Sequence, residues 1–264
     1  MKIKKVIFPY KIFPGWKLPH ESDSSFLDLA ELAIEQAKKY YEVVLVADKL
    51  TITYFGNNDL LDKFDKVEES IGIENYKGQS YGVPKMMAMI EQTEPYIMLD
   101  FDSILLKELP DVSDITFGFP DVDFTKESIT EGMINYCFDV YYNKEEIDMI
   151  KALLPENYYL DWKKLPNSSL VMVPEPHVIT DIYVQILEDF ESIIEIISPM
   201  LTEQFLLAQY LRLKGYPYKF LQKTYGAEDS ALQTAYFLHW GKHDNDNNLL
   251  LKLLRERYMK KQVI

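Results

Sequence analysis

The 264-residue sequence holds a single cysteine, Cys137, which excludes an internal disulfide and any cysteine-rich zinc or iron–sulfur site. It is also short of positive charge. Lys plus Arg number 28 against 42 Asp plus Glu, a formal net charge of −14. Such a surface repels polyanions, so general binding to nucleic acid is excluded, and any phosphate ligand must be met by a local cation or a metal. No apolar run reaches the length of a membrane-spanning helix. The N-terminal MKIKKVIFPYKIFPGW is broken by Pro9 and Pro14 and does not read as a signal peptide. The expectation is a cytoplasmic protein. No internal repeat, low-complexity tract or linker is visible, so residues 1–264 are expected to form one domain. What the chain does have is 47% hydrophobic and 14% aromatic residues, enough to bury a full core.

Hydrophobic periodicity divides the chain into an α/β half over about 1–120 and a more helical half over about 121–264. Residues 3–9 read as a strand, and apolar residues from Phe26 to Tyr41 recur at helical spacing. The run 43–47 is continuously apolar and PYIMLD, residues 95–100, is apolar up to its closing Asp100, as in parallel strands covered on both faces. A Met-rich helix over 84–93 lies between them, opened by Pro84. Its Met86, Met87 and Met89 read as core. Further strands are expected at 115–119, 168–173, 217–221 and 235–240. Helices are expected at 144–154, 177–197 and 199–213, the last closed by Gly215. A final helix over 245–261 gathers Lys252, Arg255, Arg257, Lys260 and Lys261 towards its C-terminal end. That end offers weak contact with an anionic membrane surface. The class is α/β, a mostly parallel Rossmann-like sheet flanked by helices.

The sharpest feature is PYIMLDFDSILLKEL, residues 95–109. Asp100 and Asp102 end a buried-type strand, where ligands of open α/β sheets bind. In extended chain, residues i and i+2 point to one side, so both carboxylates can face a crevice. Paired hard oxygens suit Mg²⁺ or Mn²⁺ bridging to phosphates. The pattern recurs at Asp121/Asp123 and at Asp244/Asp246, which read as solvated loops or caps.

Four further stretches stand in a telling order. Lys85 lies on a helix before Asp100. PNSSLVMVP covers 166–174, LTEQFLLAQYL covers 201–211, and FLHWGKHD covers 237–244. Together with the D-x-D strand they resemble the GT-A glycosyltransferases, as in family 8 and related capsular or lipopolysaccharide sugar transferases. The resemblance spans most of residues 1–245. Where that family has Asn-Ser-Gly this chain has Asn-Ser-Ser, where it has Asp-Gln this chain has Glu-Gln, and its late histidine–glycine–lysine motif is compressed here.

The resemblance implies a transferase that moves a sugar from a nucleoside-diphosphate sugar, UDP-linked by preference, to a saccharide or glycolipid acceptor in surface polysaccharide synthesis. It implies Mn²⁺ or Mg²⁺ held by Asp102, with Asp100 on the metal or on ribose and sugar hydroxyls. His239 would be the third ligand, with His243 as its substitute. Tyr10 would stack on the nucleobase, and Asp48 would accept hydrogen bonds from base or ribose. Lys85 would face the donor sugar or phosphates. Asn167 and Ser168 would lie by the donor sugar, Gly241 and Lys242 by the diphosphate, and Glu203 and Gln204 by the reacting carbon. The late motif leans towards retention of anomeric configuration, while Glu203 or Asp161 as acceptor base would suit inversion.

Two rivals stand beside this reading. Haloacid-dehalogenase-like phosphatases also carry D-x-D after a strand, and Asp100 would be their nucleophile. They place it on the first strand and use a later Gly-Asp pair, and this chain has no Gly-Asp. A GT-A-like protein that binds sugar or nucleotide without catalysis is the other.

Overall fold

The computed structural model describes residues 2–13, 24–123, 144–153, 164–197, 201–222 and 235–239. Its centre is a seven-stranded sheet in the order β10-β6-β9-β4-β1-β2-β3. The strands are β1 (Lys5–Tyr10), β2 (Glu42–Ala47), β3 (Lys66–Glu69), β4 (Tyr96–Leu99), β6 (Ile115–Phe117), β9 (Leu170–Val173) and β10 (Tyr218–Phe220). β9 runs antiparallel to both its neighbours, and every other pairing in the sheet is parallel. The mostly parallel α/β class expected from the apolar runs is the one observed. The sheet also draws β9 and β10 from the later half of the chain.

Those runs are apolar throughout because both sheet faces are covered. Val6, Phe8, Val43, Leu45, Ile97 and Leu99 pack into one core, and Ile7, Val44, Val46, Tyr96 and Met98 into the other. On the first face lies α1 (Ser24–Lys38), whose Ala30, Ala33, Ile34 and Ala37 are buried. On the second lie α4 (Gly82–Ile90) and α6 (Pro176–Asp189), packed on each other. Met86 and Met89 are core residues, with Met87 packed against them.

The stretch between β2 and α4 holds more structure than its sequence suggests. Asp48 caps α2 (Lys49–Asn57) by accepting the Thr51 N–H, and Ser70 caps α3 (Ile71–Asn75) by accepting that of Ile73. A 3₁₀ turn, Leu61–Lys63, and the charged edge strand β3 lie between them. Lysine and glutamate on an edge strand deter pairing with other chains, and they also hide the strand from a hydrophobicity reading.

Elsewhere boundaries shift. α5 is Lys144–Leu153. α6 ends at Asp189 rather than near 197, with Phe190 leaving helical geometry as its C-cap and the chain to Ile197 passing into turns. The next helix begins as a π-helix, Leu201–Leu206, and continues as α7 (Leu207–Leu213). Two small sheets complete the described residues. β5 (Ser103–Leu105) pairs antiparallel with β11 (Phe237–His239), and β7 (Pro120–Asp123) with β8 (Lys164–Pro166). Asp121 and Asp123 therefore belong to a strand and not to a loop, the partner being a segment for which no strand was expected. Gly241, Lys242, His243, Asp161, Asp244/Asp246 and the basic C-terminal segment lie outside the described residues. Among the described residues no helix is long and apolar enough to cross a membrane.

Candidate functional site

From β1 the chain builds β2 and β3 outward on one side and then crosses back to place β4 on the other side of β1. Such a switch point opens a crevice beyond the C-terminal strand ends. Here the ends are Tyr10 on β1 and, directly after β4, Asp100.

The turn Asp100–Phe101–Asp102 is anchored by its middle residue. Phe101 is buried and stacks on Phe8 at 4.8 Å between ring centroids, with Tyr10 and Phe55 each at 5.4 Å. The Ser103 N–H donates to the Asp100 carbonyl at 3.0 Å, closing the turn, and the Asp100 N–H donates to the Ser169 carbonyl at 2.9 Å. The ring is held in the aromatic core, and the two flanking aspartates are half-buried, with Asp102 Oδ1 itself buried. We expect Phe101→Ala to lower stability by about 3–5 kcal/mol, as for other buried rings truncated to alanine. Urea denaturation reads this, and a loss under about 1 kcal/mol would mean that the ring does not anchor the turn.

Lys85 sits on α4, a helix with buried residues almost all round, and is itself only 8% exposed. Its Nζ meets both carboxylate oxygens of Asp100, Oδ1 at 2.9 Å and Oδ2 at 3.0 Å. It donates to Ser168 Oγ at 3.2 Å and lies 3.4 Å from Glu203 Oε2. This last is an ion-pair contact without hydrogen-bond geometry, since Oε2 has no hydrogen-bond partner. Ser168 Oγ in turn donates to Glu203 Oε1 at 3.0 Å. Ser168 is thus a relay between the ammonium and the second carboxylate. Its turn is shaped by Asn167, whose Oδ1 accepts the Ser169 N–H at 2.9 Å.

One ammonium thus serves two carboxylates. Burial alone pulls the Lys85 ammonium down, but the charges of Asp100 and Glu203 outweigh it, and the net shift is upward. Glu203 is raised above the ordinary glutamate range, first by burial and then against the opposing pull of Lys85, with Asp100 adding repulsion. Glu203 and Gln204 are both buried and stand on the π-helix, a rare element that recurs at functional sites. The Glu203 carbonyl accepts from the Tyr183 hydroxyl at 3.1 Å, and Gln204 Oε1 is buried with no hydrogen-bond partner among the described residues.

On the β1–β2 side, Tyr10 stacks on Phe26 at 5.6 Å. Asp48 is buried with both oxygens engaged: Oδ1 accepts from Thr51 N at 2.9 Å and Oδ2 from Lys11 Nζ at 2.9 Å. Lys11 also donates to the Ile73 carbonyl at 2.7 Å. Lys11 is a candidate-site neighbour that composition and motif do not mark. Its one signal was a lysine directly after the tyrosine that ends β1.

The structure therefore joins Lys85, Asp100, Ser168 and Glu203 in one cluster, with Asn167 shaping the Ser168 turn and Gln204 next to Glu203 on the π-helix, and sets Tyr10 at the end of β1 and Asp48 directly after β2. The β5–β11 register places His239 opposite Ser103, the residue after Asp102. Among the described residues no three His, Cys, Asp or Glu side chains gather as a metal-holding group. The carboxylates of the turn are hard oxygen donors of the kind Mg²⁺ and Mn²⁺ take. With an ammonium on both oxygens of Asp100, a divalent ion there would meet a like charge at contact distance. The donor set fits such an ion better through Asp102, with His239 brought close by the backbone.

No protein-family model matches this chain, and no curated protein matches it. Among solved structures it is similar to the glycosyltransferase GlyE of Streptococcus pneumoniae TIGR4, at 11% identity and a TM-score of 0.45. That match covers 92% of this chain and 56% of GlyE, so the chain spans little over half of that protein. It is similar to mouse xyloside xylosyltransferase 1 at 8% identity and a TM-score of 0.43, covering 91% of this chain and 98% of that one. It is also similar to 4-diphosphocytidyl-2C-methyl-D-erythritol synthase of Anaerococcus prevotii, at 11% identity and a TM-score of 0.41, covering 89% and 97%. At these identities and scores the likeness assigns no activity to this chain.

Proposed function

We propose that the chain is a glycosyltransferase that moves a sugar from a nucleoside-diphosphate donor to a saccharide or glycolipid acceptor, in surface polysaccharide synthesis. The observation that carries the reading is a buried ammonium, Lys85, held at the switch-point crevice between Asp100, Ser168 and Glu203. Lys85 already faces two carboxylates, so in a chain with a net charge of −14 a diphosphate would bind there together with a divalent cation that offsets the surplus negative charge. Carboxylates and amides around Lys85 are the groups that bind sugar hydroxyls.

In this reading Tyr10 and Asp48 face the nucleoside, with Lys11 holding Asp48 in place. Asp100, Asn167 and Ser168 orient the donor sugar. The bond from the anomeric carbon to the phosphate oxygen breaks with its electron pair leaving on the diphosphate, the acceptor hydroxyl oxygen bonds to that carbon, and the hydroxyl proton passes to the departing diphosphate. Lys85 stands beside the charge that develops there, with Gly241 and Lys242 as further candidates on the phosphate side. A divalent ion held by Asp102 and His239, or by His243 in place of His239, would add Lewis-acid stabilisation of the leaving diphosphate. Glu203 and Gln204 reach towards the reacting carbon. The family resemblance favours hexosyl transfer with retention.

Calorimetric titration with UDP, GDP, CDP and their sugars, with and without Mn²⁺, tests this. One nucleoside diphosphate is expected to bind, more tightly with Mn²⁺. In Asp102→Asn the gain from Mn²⁺ is expected to vanish with the fold intact. A chain that binds none of these ligands in either condition is not this enzyme, and an undiminished Mn²⁺ gain in the variant would remove Asp102 from the metal role.

A further inference from the structure

The segment between α3 and α4, residues 76–81, closes around a carboxylate from far along the chain. Glu195 Oε2 accepts the N–H of Gln79 at 2.8 Å and that of Ser80 at 3.2 Å. Its Oε1 accepts the Tyr76 hydroxyl, and Tyr76 Oη itself accepts the Ser80 N–H at 3.0 Å. Gly78 lies against the same carboxylate. A Cβ there would come within 2.1 Å of Oε1, so an alanine would push the Glu195 carboxylate aside. Burial, then the hydrogen bond and charge of Glu195, push the Tyr76 phenol up, so it stays a donor.

The contact falls on the two residues just before Tyr81, the N-cap of α4, which itself offers no capping side chain. A carboxylate just before a helix start places negative charge where the helix dipole favours it, and its charge-assisted hydrogen bonds fix the chain that leads in. Glu195 lies in the turns after α6, and the chain reaches Glu203 eight positions further on. The contact thus joins the two segments that deliver Lys85 and Glu203 to the same cluster.

We propose that Glu195 is a positioning residue of the candidate site. By pinning the 76–81 segment it fixes the start of α4 and sets where Lys85 stands between Asp100 and Glu203. Only the nucleotide arm of its test rests on the transferase reading.

The test compares Glu195→Ala, Glu195→Gln and Gly78→Ala with a control at a neighbouring exposed acid, Glu191→Ala. Hydrogen exchange read by mass spectrometry should show amides 79–86 exchanging at least about tenfold faster in Glu195→Ala and Gly78→Ala, with β4 unchanged, as in a local opening. Glu195→Gln keeps an acceptor oxygen and should restore most of the protection. UDP affinity, measured with Mn²⁺, should fall about tenfold in Glu195→Ala and return to within about twofold in Glu195→Gln, a rescue that loss of global stability would not give. Unchanged exchange at 79–86, acceleration spread to β4, the same change in Glu191→Ala, or unchanged UDP affinity in a protein whose wild type binds UDP would each overturn the proposal. A wild type that binds no UDP refutes the transferase reading instead, and exchange alone then decides whether Glu195 pins the segment.

Discussion

Replacing Lys85 with methionine is expected to destabilise the protein by about 3 kcal/mol and to lower nucleoside-diphosphate affinity or turnover by about a hundredfold. Removing one partner of a buried ion pair leaves the other charged and desolvated, which costs about 3–5 kcal/mol. The lower end applies because the Asp100 side chain is 32% exposed and water screens part of the penalty. The pH dependence gives a second reading. The folded-state pKa of Lys85 lies above its unfolded value, so its stabilisation is fully present below the ordinary lysine pKa and is lost as pH rises through the folded one. Wild type and variant should therefore differ by a constant amount from neutrality to about pH 9, and converge only above about 10.4. On the acid side the variant should recover, because protonating Glu203 removes the charge left without its ammonium. Guanidinium denaturation across this range measures all of it. A stability difference below about 1 kcal/mol at pH 7 would show that Lys85 is a solvated helix residue.

The burial of Lys85 was legible in principle, for in GVPKMMAMI it is the only charged residue of a nine-residue helix. A helix apolar on every side is a buried helix, and a lysine within it must find a partner. The partner was legible too, since the apolar run ending at Asp100 could only be a covered strand. The unbroken apolar runs implied cover on both faces, and the structure shows it, with Ile97 and Leu99 in one core and Tyr96 and Met98 in the other. Other features were not written locally. β3 is a strand because β2 offers it a parallel edge, while its own residues, KVEE, have no apolar period. The π-helix under Glu203 has no sequence mark, and a polar pair inside LTEQFLLAQYL looks equally like a helix start. Glu195 reaches Gln79 across 116 positions, and Lys11 reaches Asp48 across 37. Contacts of that span depend on how the layers stack, which local pattern does not encode.

Glu203 should show the opposite balance to Lys85. In Glu203→Gln the amide oxygen can still accept the Ser168 hydroxyl, while Lys85 keeps Asp100 as its counter-ion. The substitution removes the surplus negative charge from a cluster in which one ammonium faces two carboxylates. Stability at pH 7 should therefore stay level or rise by up to about 1 kcal/mol, as when a strained functional residue is neutralised. The sign follows from linkage. The folded-state pKa of Glu203 is raised, so its ionisation weakens the fold as pH climbs past the ordinary glutamate value, and the variant lacks that decline. Transfer should respond the other way. A carboxylate beside the reacting carbon stabilises developing positive charge or takes the acceptor proton, and its loss should reduce turnover by about 10²–10⁴ with little change in donor affinity. Nucleoside-diphosphate release and thermal melts on the same preparation separate the two effects. A variant that is as active as wild type would move the chemistry away from the π-helix. One that is markedly less stable would show that Lys85 needs Glu203 as its partner, and that the site is a structural ion-pair network and not a catalytic one.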